Sequence, residues 1–65
     1  MDETMQEFIR ELIAFDEVVS IFLINGIKLR GKITDFGANT IILSKTQAIN
    51  LNAISTIQNE ERSPR

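Results

Sequence analysis

The stretch from Val18 to Ile33, VVSIFLINGIKLRGKI, limits the fold more than any other part of the chain. Val18 to Ile24 is almost continuously apolar and rich in β-branched and aromatic residues, the composition of a buried strand. Asn25-Gly26 follows, and both residues tolerate the positive φ that a tight primed hairpin turn demands. The chain is expected to fold back there. Beyond the turn, Ile27, Leu29 and Ile33 alternate with Lys28, Arg30 and Lys32 in the period-2 pattern of a second strand. Gly31 interrupts it, and a glycine so placed marks a sharp bend or a close approach of two backbones, as at the corner of a small barrel. An idealised two-residue turn sets Phe22 opposite Leu29 and Ile24 opposite Ile27. On the pattern alone, all four then belong in the core.

The flanking segments supply one helix and three more strands. Thr4 to Glu7 has the form of a capping box, in which the Thr4 hydroxyl accepts from the Glu7 amide and the Glu7 carboxylate reaches back, so a helix is expected over about residues 4–15. Met5, Phe8, Ile9, Leu12 and Ile13 recur at helical spacing and form one apolar stripe, suited to closing one end of a barrel. Its polar face, with Gln6, Arg10 and Glu11, is not the lysine-rich face that membranes attract. After Phe36, a turn at Gly37-Ala38-Asn39 leads to a short strand Thr40 to Ser44, and Lys45-Thr46 is a candidate tight turn. Gln47 to Leu51 and Ala53 to Ile57 read as two further strands separated only by Asn52. The expected domain is residues 1–58, with a polar tail over 59–65 (NEERSPR) whose composition favours disorder.

Size and composition exclude several classes. A chain of 65 residues makes one small domain, and below about 70–80 residues a single core is marginal without disulfides, metals or partners. There is no cysteine and no histidine, so disulfides and the common thiolate or imidazole metal sites are excluded. Oligomerisation is the support that remains. Without histidine, cysteine or tyrosine, and with no paired-carboxylate site or phosphate loop, no enzyme and no cofactor are expected. The longest strongly apolar run is about seven residues, against the ~20 that cross a bilayer, and the first residues are acidic where a secretion signal would be basic. A cytoplasmic protein is expected. The formal charge of −2 disfavours indiscriminate nucleic-acid binding without excluding a local basic patch.

One helix followed by five short antiparallel strands is mainly β and suits a strongly bent small barrel. Such a sheet keeps open edges, and the apolar last strands, with Ile49, Leu51, Ile54 and Ile57, are expected to be covered by another chain. Head-to-tail pairing of two different edges closes into a ring.

NGIKLRGKITDF followed by NAIST resembles the bacterial Sm-like RNA chaperones, the Hfq family. Asn25, Gly26, Leu29, Gly31, Ile33 and Phe36 stand at the places of the family's first Sm motif, and the resemblance covers about residues 5–58. It implies a five-stranded SH3-type barrel in a homohexameric ring joined through the fourth and fifth strands. It also implies RNA bound on two faces and along the rim.

The departures are as informative. Where the family's second motif carries an aromatic and then Lys-His, this chain has Asn50, Leu51 and Asn52. Leu51 can neither donate a hydrogen bond nor pair with phosphate, and the asparagines carry no charge. Asn39 takes the place of another base-stacking aromatic, and Gln6 neighbours the helix position where glutamine is common, held here by Met5. This proximal pore face is expected to be weak for U-rich RNA. Asn50 and Asn52 also read simply as turn residues. The family's arginine cluster at the helix end is replaced by Ile13, Ala14, Phe15 and Asp16, with only Arg10 nearby, and Gly37 replaces an aspartate.

The opposite, distal face is better kept. Phe22, Asn25, Gly26, Ile27, Lys28, Leu29, Gln47 and Thr56 agree with the family's purine-binding surface, and Arg30 stands where glutamine is common. An aromatic ring with aliphatic walls can stack a purine, Gln47 and Thr56 can read its edge, and Lys28 and Arg30 can neutralise phosphates. In this arrangement Phe22, Ile27 and Leu29 are partly exposed, against the core placement that the bare pattern suggests. Lys28, Arg30 and Lys32 are by default a solvated strand face. The resemblance therefore implies single-stranded RNA as partner, A-rich over U-rich. The alternative is a ring that serves as a scaffold for protein partners.

Overall fold

The computed structural model describes residues 2–60. Helix α1 (Glu3–Ala14) is followed by β1 (Val18–Leu23), β2 (Lys28–Phe36), β3 (Thr40–Leu43), β4 (Gln47–Asn50), a 3-10 turn (Leu51–Ala53) and β5 (Ile54–Asn59). All strand pairs are antiparallel, in one sheet of order β4-β3-β2-β1-β5. The expected mainly-β architecture with one helix is present.

The helix begins two residues earlier than the capping box suggests. Asp2 is the N-cap, its Oδ1 accepting from the Met5 amide at 2.9 Å, and Thr4 lies inside the helix. Aspartate is the stronger cap, and starting at Glu3 adds backbone hydrogen bonds at no loss of apolar contact. Ile9 and Leu12 are buried and Met5 and Ile13 pack at the margins, whereas Phe8, expected in the stripe, is exposed. Asp2→Ala is expected to destabilise the fold by about 1 kcal/mol, a loss of roughly 4–8 °C in thermal midpoint for a domain this small. An unchanged midpoint would show that the cap is idle.

The first hairpin differs from the idealised one. Its loop has three residues, with the Gly26 amide donating to the Leu23 carbonyl at 2.9 Å, the Leu23 amide to the Ile27 carbonyl at 2.8 Å, and only Gly26 left-handed (φ 92°). This is the three-residue hairpin that ends in a left-handed glycine, and the Asn25 side chain accepts from the Ile27 amide at 3.1 Å instead of adopting positive φ. The register moves by one residue, so Ile21 faces Leu29 and Phe22 faces Lys28. The placement of four residues in the core is thereby corrected. Ile24 and Ile27 are exposed, Leu29 packs on the core, and Phe22 is half-buried on the outer face.

The core comprises Ile9, Leu12, Val19, Ile21, Ile33, Ile41, Leu43 and Ile49. These come from the helix and from β1 to β4, so the sheet wraps round one apolar centre with α1 packed mainly against β2. Gly31 permits a tight crossing: a Cβ there would stand 2.5 Å from Ser44 Oγ and 3.3 Å from Leu43 Cγ.

Three later boundaries also change. β3 ends at Leu43, because Ser44 and Lys45 are the left-handed centre (φ 54° and 63°) of a turn closed by the Thr46 amide on the Leu43 carbonyl at 3.0 Å. The link between the last strands is a full 3-10 turn, not Asn52 alone. β5 runs past Ile57, the expected end of the last strand. Asn59 completes β5 and donates to the Glu17 carboxylate, and the Glu60 amide donates to the Val18 carbonyl at 2.8 Å. Residues 61–65, the rest of that expected tail, lie outside the described residues.

Candidate nucleic-acid interface

Residues directly opposite each other in an antiparallel pair project from the same face. The two registers through β1 therefore assemble three cross-strand rows on the outer face: Thr56–Phe22–Lys28, Gln58–Ser20–Arg30 and, through the Glu60–Val18 hydrogen bond, Glu60–Val18–Lys32. Phe22 lies in the middle of the first row, with Lys28 Nζ 5.7 Å from its ring centroid. Phe22 is absent from the residues that pack on the core. Its ring, a hydroxyl and a cation thus share one surface.

The second row is held internally. Ser20 is fully buried, and its hydroxyl donates to the Glu60 carboxylate. Arg30 beside it is exposed. Ser20 and Gln58 were not among the residues the sequence singled out. The polar alternation Thr56-x-Gln58 was the signal that could have found Gln58.

Charge is unevenly spread over the fold. α1 and its cap carry the exposed Asp2, Glu3, Glu7 and Glu11 against a single cation, Arg10, whose guanidinium lies 5.9 Å from the Phe36 ring centroid. The last helical turn has no basic residue, and Phe15 beyond it is exposed. The remaining basic side chains of the described residues are Lys28, Arg30 and Lys32 on β2 and Lys45 in the β3–β4 turn. Asp16, Glu17, Asp35 and Glu60 also lie off the helix, so the positive charge is local to the β2 row and the β3–β4 turn, while the helix face is net acidic and repels a polyanion.

The structure brings together Phe22, Lys28, Arg30 and Thr56, with Asn25, Gly26 and Ile27 in the loop at one end and Leu29 directed inward. Gln47 is not with them. It opens β4, at the far edge of the sheet, three strands away from β1.

A sequence model of the Hfq protein family matches residues 6–64. The chain belongs to the Hfq family. Its fold is also that of a 1.55 Å crystal structure of "the pleiotropic translational regulator, Hfq", with a TM-score of 0.81 and 22% identity over 86% of this chain and 98% of that one.

In this Hfq-family chain the segment between β4 and β5 forms the 3-10 turn. The Asn50 side chain caps it by accepting from the Asn52 amide at 3.1 Å, and the Leu51 amide donates to the Asn39 carbonyl at 2.8 Å. Leu51 itself is half-buried against the core. Asn39, Asn50 and Leu51 are thus tied to one another as a structural corner, while Gln6 lies on α1.

Proposed function

We propose that this Hfq-family chain is an RNA-binding ring subunit without catalytic activity. It takes A-rich or other purine-rich single strands on its strand face and binds U-rich ends weakly at the helix-side pore. The observation that carries this is the Thr56–Phe22–Lys28 row. Stacking a base on an aromatic is worth about 1–3 kcal/mol, whereas an exposed cation–π contact is worth about 0.5–1 kcal/mol. A purine therefore displaces the Lys28 ammonium from the Phe22 ring, and the ammonium turns to the adjacent phosphate.

Ring assembly completes the pocket. β4 and β5 are the two edges of the sheet, and open edges pair. Head-to-tail β4–β5 pairing closes a cyclic oligomer, a hexamer in this proposal, and carries Gln47 of one subunit toward the β5 edge of the next. Weak uridine binding follows from the absence of a cation in the 50–52 segment and from the net acidity of the helix. The ring acts in the cytoplasm, in post-transcriptional regulation by small RNA and mRNA; no helix among the described residues is long and apolar enough to cross a membrane.

Fluorescence anisotropy with oligo(A) and oligo(U) of equal length, at low and near-physiological salt, tests the proposal. Tight oligo(A) and weak oligo(U) binding is the expected result. Tight oligo(U) binding would overturn the account of the pore, and binding of neither would favour a protein scaffold, for which the exposed Phe8 and Phe15 on an acidic helix are suited.

A further inference from the structure

We propose that the cleft between β2 and the β3–β4 turn is a phosphate site, distinct from the purine-stacking row and continuous with it along β2. The cleft is open, about 530 Å³ in volume, and presents Arg30, Lys32 and Lys45 with the hydroxyl-bearing Ser44 and Thr34. Arg30 and Lys45 are exposed and make no ion pair with any described residue, whereas Lys32 Nζ is 2.9 Å from Asp16 Oδ2 on the cleft wall. Arginine and lysine beside hydroxyl donors are the side chains that recognise phosphate oxygens.

The backbone fixes where three of these residues stand. The non-glycine residues with positive φ among the described residues are Asp16, Ser44 and Lys45, and all three line this cleft. Ser44 and Lys45 are the two central residues of the primed hairpin turn between β3 and β4, which requires positive φ at both positions, and Asp16 is the left-handed residue that follows the C-cap of α1. Gly31 also lines the cleft, and a Cβ there would stand 2.5 Å from Ser44 Oγ. The tight turn and the missing side chain together bring Ser44 and Lys45 to the cleft that Arg30 lines.

Lys28, Arg30 and Lys32 alternate along β2, so successive cations are about 7 Å apart at ~3.4 Å per residue. A single strand whose base stacks on Phe22 can continue down this line and lay a following phosphate in the cleft, between Arg30 and Lys45. The source of the phosphate, though not the site, rests on the proposed RNA binding.

The test is Lys45→Asn, since asparagine keeps a left-handed turn and loses the charge. Salt dependence of binding to the assembled protein is read with both oligonucleotides. For a single strand each lost phosphate contact lowers the slope of log K against log[salt] by about 0.7, and the same fall is expected for oligo(A) and oligo(U), with the A-over-U preference retained. Arg10→Gln on the helix is expected to leave the slope unaltered, and the thermal midpoint of Lys45→Asn to stay equal or rise. An unchanged slope in Lys45→Asn overturns the proposal while leaving the purine row standing. If the wild-type protein binds no RNA, inorganic phosphate decides the matter by amide chemical shifts. Shifts at Gly31, Ser44 and Lys45 that Lys45→Asn abolishes support a site for a small phosphate, and their absence overturns it.

Discussion

Phe22→Ala is expected to weaken oligo(A) binding by about 5- to 150-fold, from ~1–3 kcal/mol of stacking per base at 1.4 kcal/mol per tenfold. Phe22 is the aromatic that the registers place on the outer face; of the other phenylalanines, Phe36 packs on the core and Phe8 and Phe15 belong to the helix and its end. The stability of the fold should fall only modestly, because Phe22 is half-buried but lies outside the residues packed on the core. The signature is therefore a lost A-over-U preference with the fold and the assembly retained. Anisotropy and thermal unfolding of the same preparation check it, and unchanged oligo(A) affinity would remove Phe22 from the site.

Ile21→Ala is expected to have the opposite profile, unfolding the chain rather than disarming it. Ile21 is fully buried at the centre of β1, opposite Leu29 on one side and Ile57 on the other. Truncating a buried isoleucine to alanine costs about 2–5 kcal/mol, and a single core in a domain this small supplies at most roughly 3–5 kcal/mol. Urea unfolding should show the variant largely unfolded at low protein concentration. It should be rescued in part at high concentration, because assembly binds only the folded form. Ile21→Val, losing one methylene, should cost about 0.5–1.5 kcal/mol and stay folded. A wild-type urea midpoint for Ile21→Ala would show that the core is centred elsewhere.

How much of this was legible depends on whether the deciding interaction is local. The helix was visible from Ile9, Leu12 and their neighbours at helical spacing, and the five strands from apolar runs parted by turn residues, because each signal lies within a few residues. The cap was not legible, since Thr4 to Glu7 has the form of a capping box, whereas Asp2 caps a longer helix. Asn-Gly announced a hairpin but not its length, because the same dipeptide serves a two-residue primed turn and a three-residue loop with a left-handed glycine. That single residue moved Phe22 from a place facing Leu29 to one facing Lys28.

The sequence by itself determined the element order, the marginal size of the core, the lack of thiol and imidazole chemistry and, through its Sm-like motif, the family. Only the tertiary structure decided the register, and with it the joining of Phe22, Lys28 and Thr56 in one row. It also decided that Asp16, Arg30 and Lys45 share one cleft and that Gln47 stands at the far edge of the sheet. The physical reason is that periodicity and turn propensity act along the chain, whereas register is chosen by which side chains can be buried together across strands. The left-handed Ser44-Lys45 turn illustrates the difference. Nothing in that dipeptide favours positive φ, and it is held by the Ser44 amide on the Lys32 carbonyl at 2.7 Å and by the space that Gly31 leaves beside it.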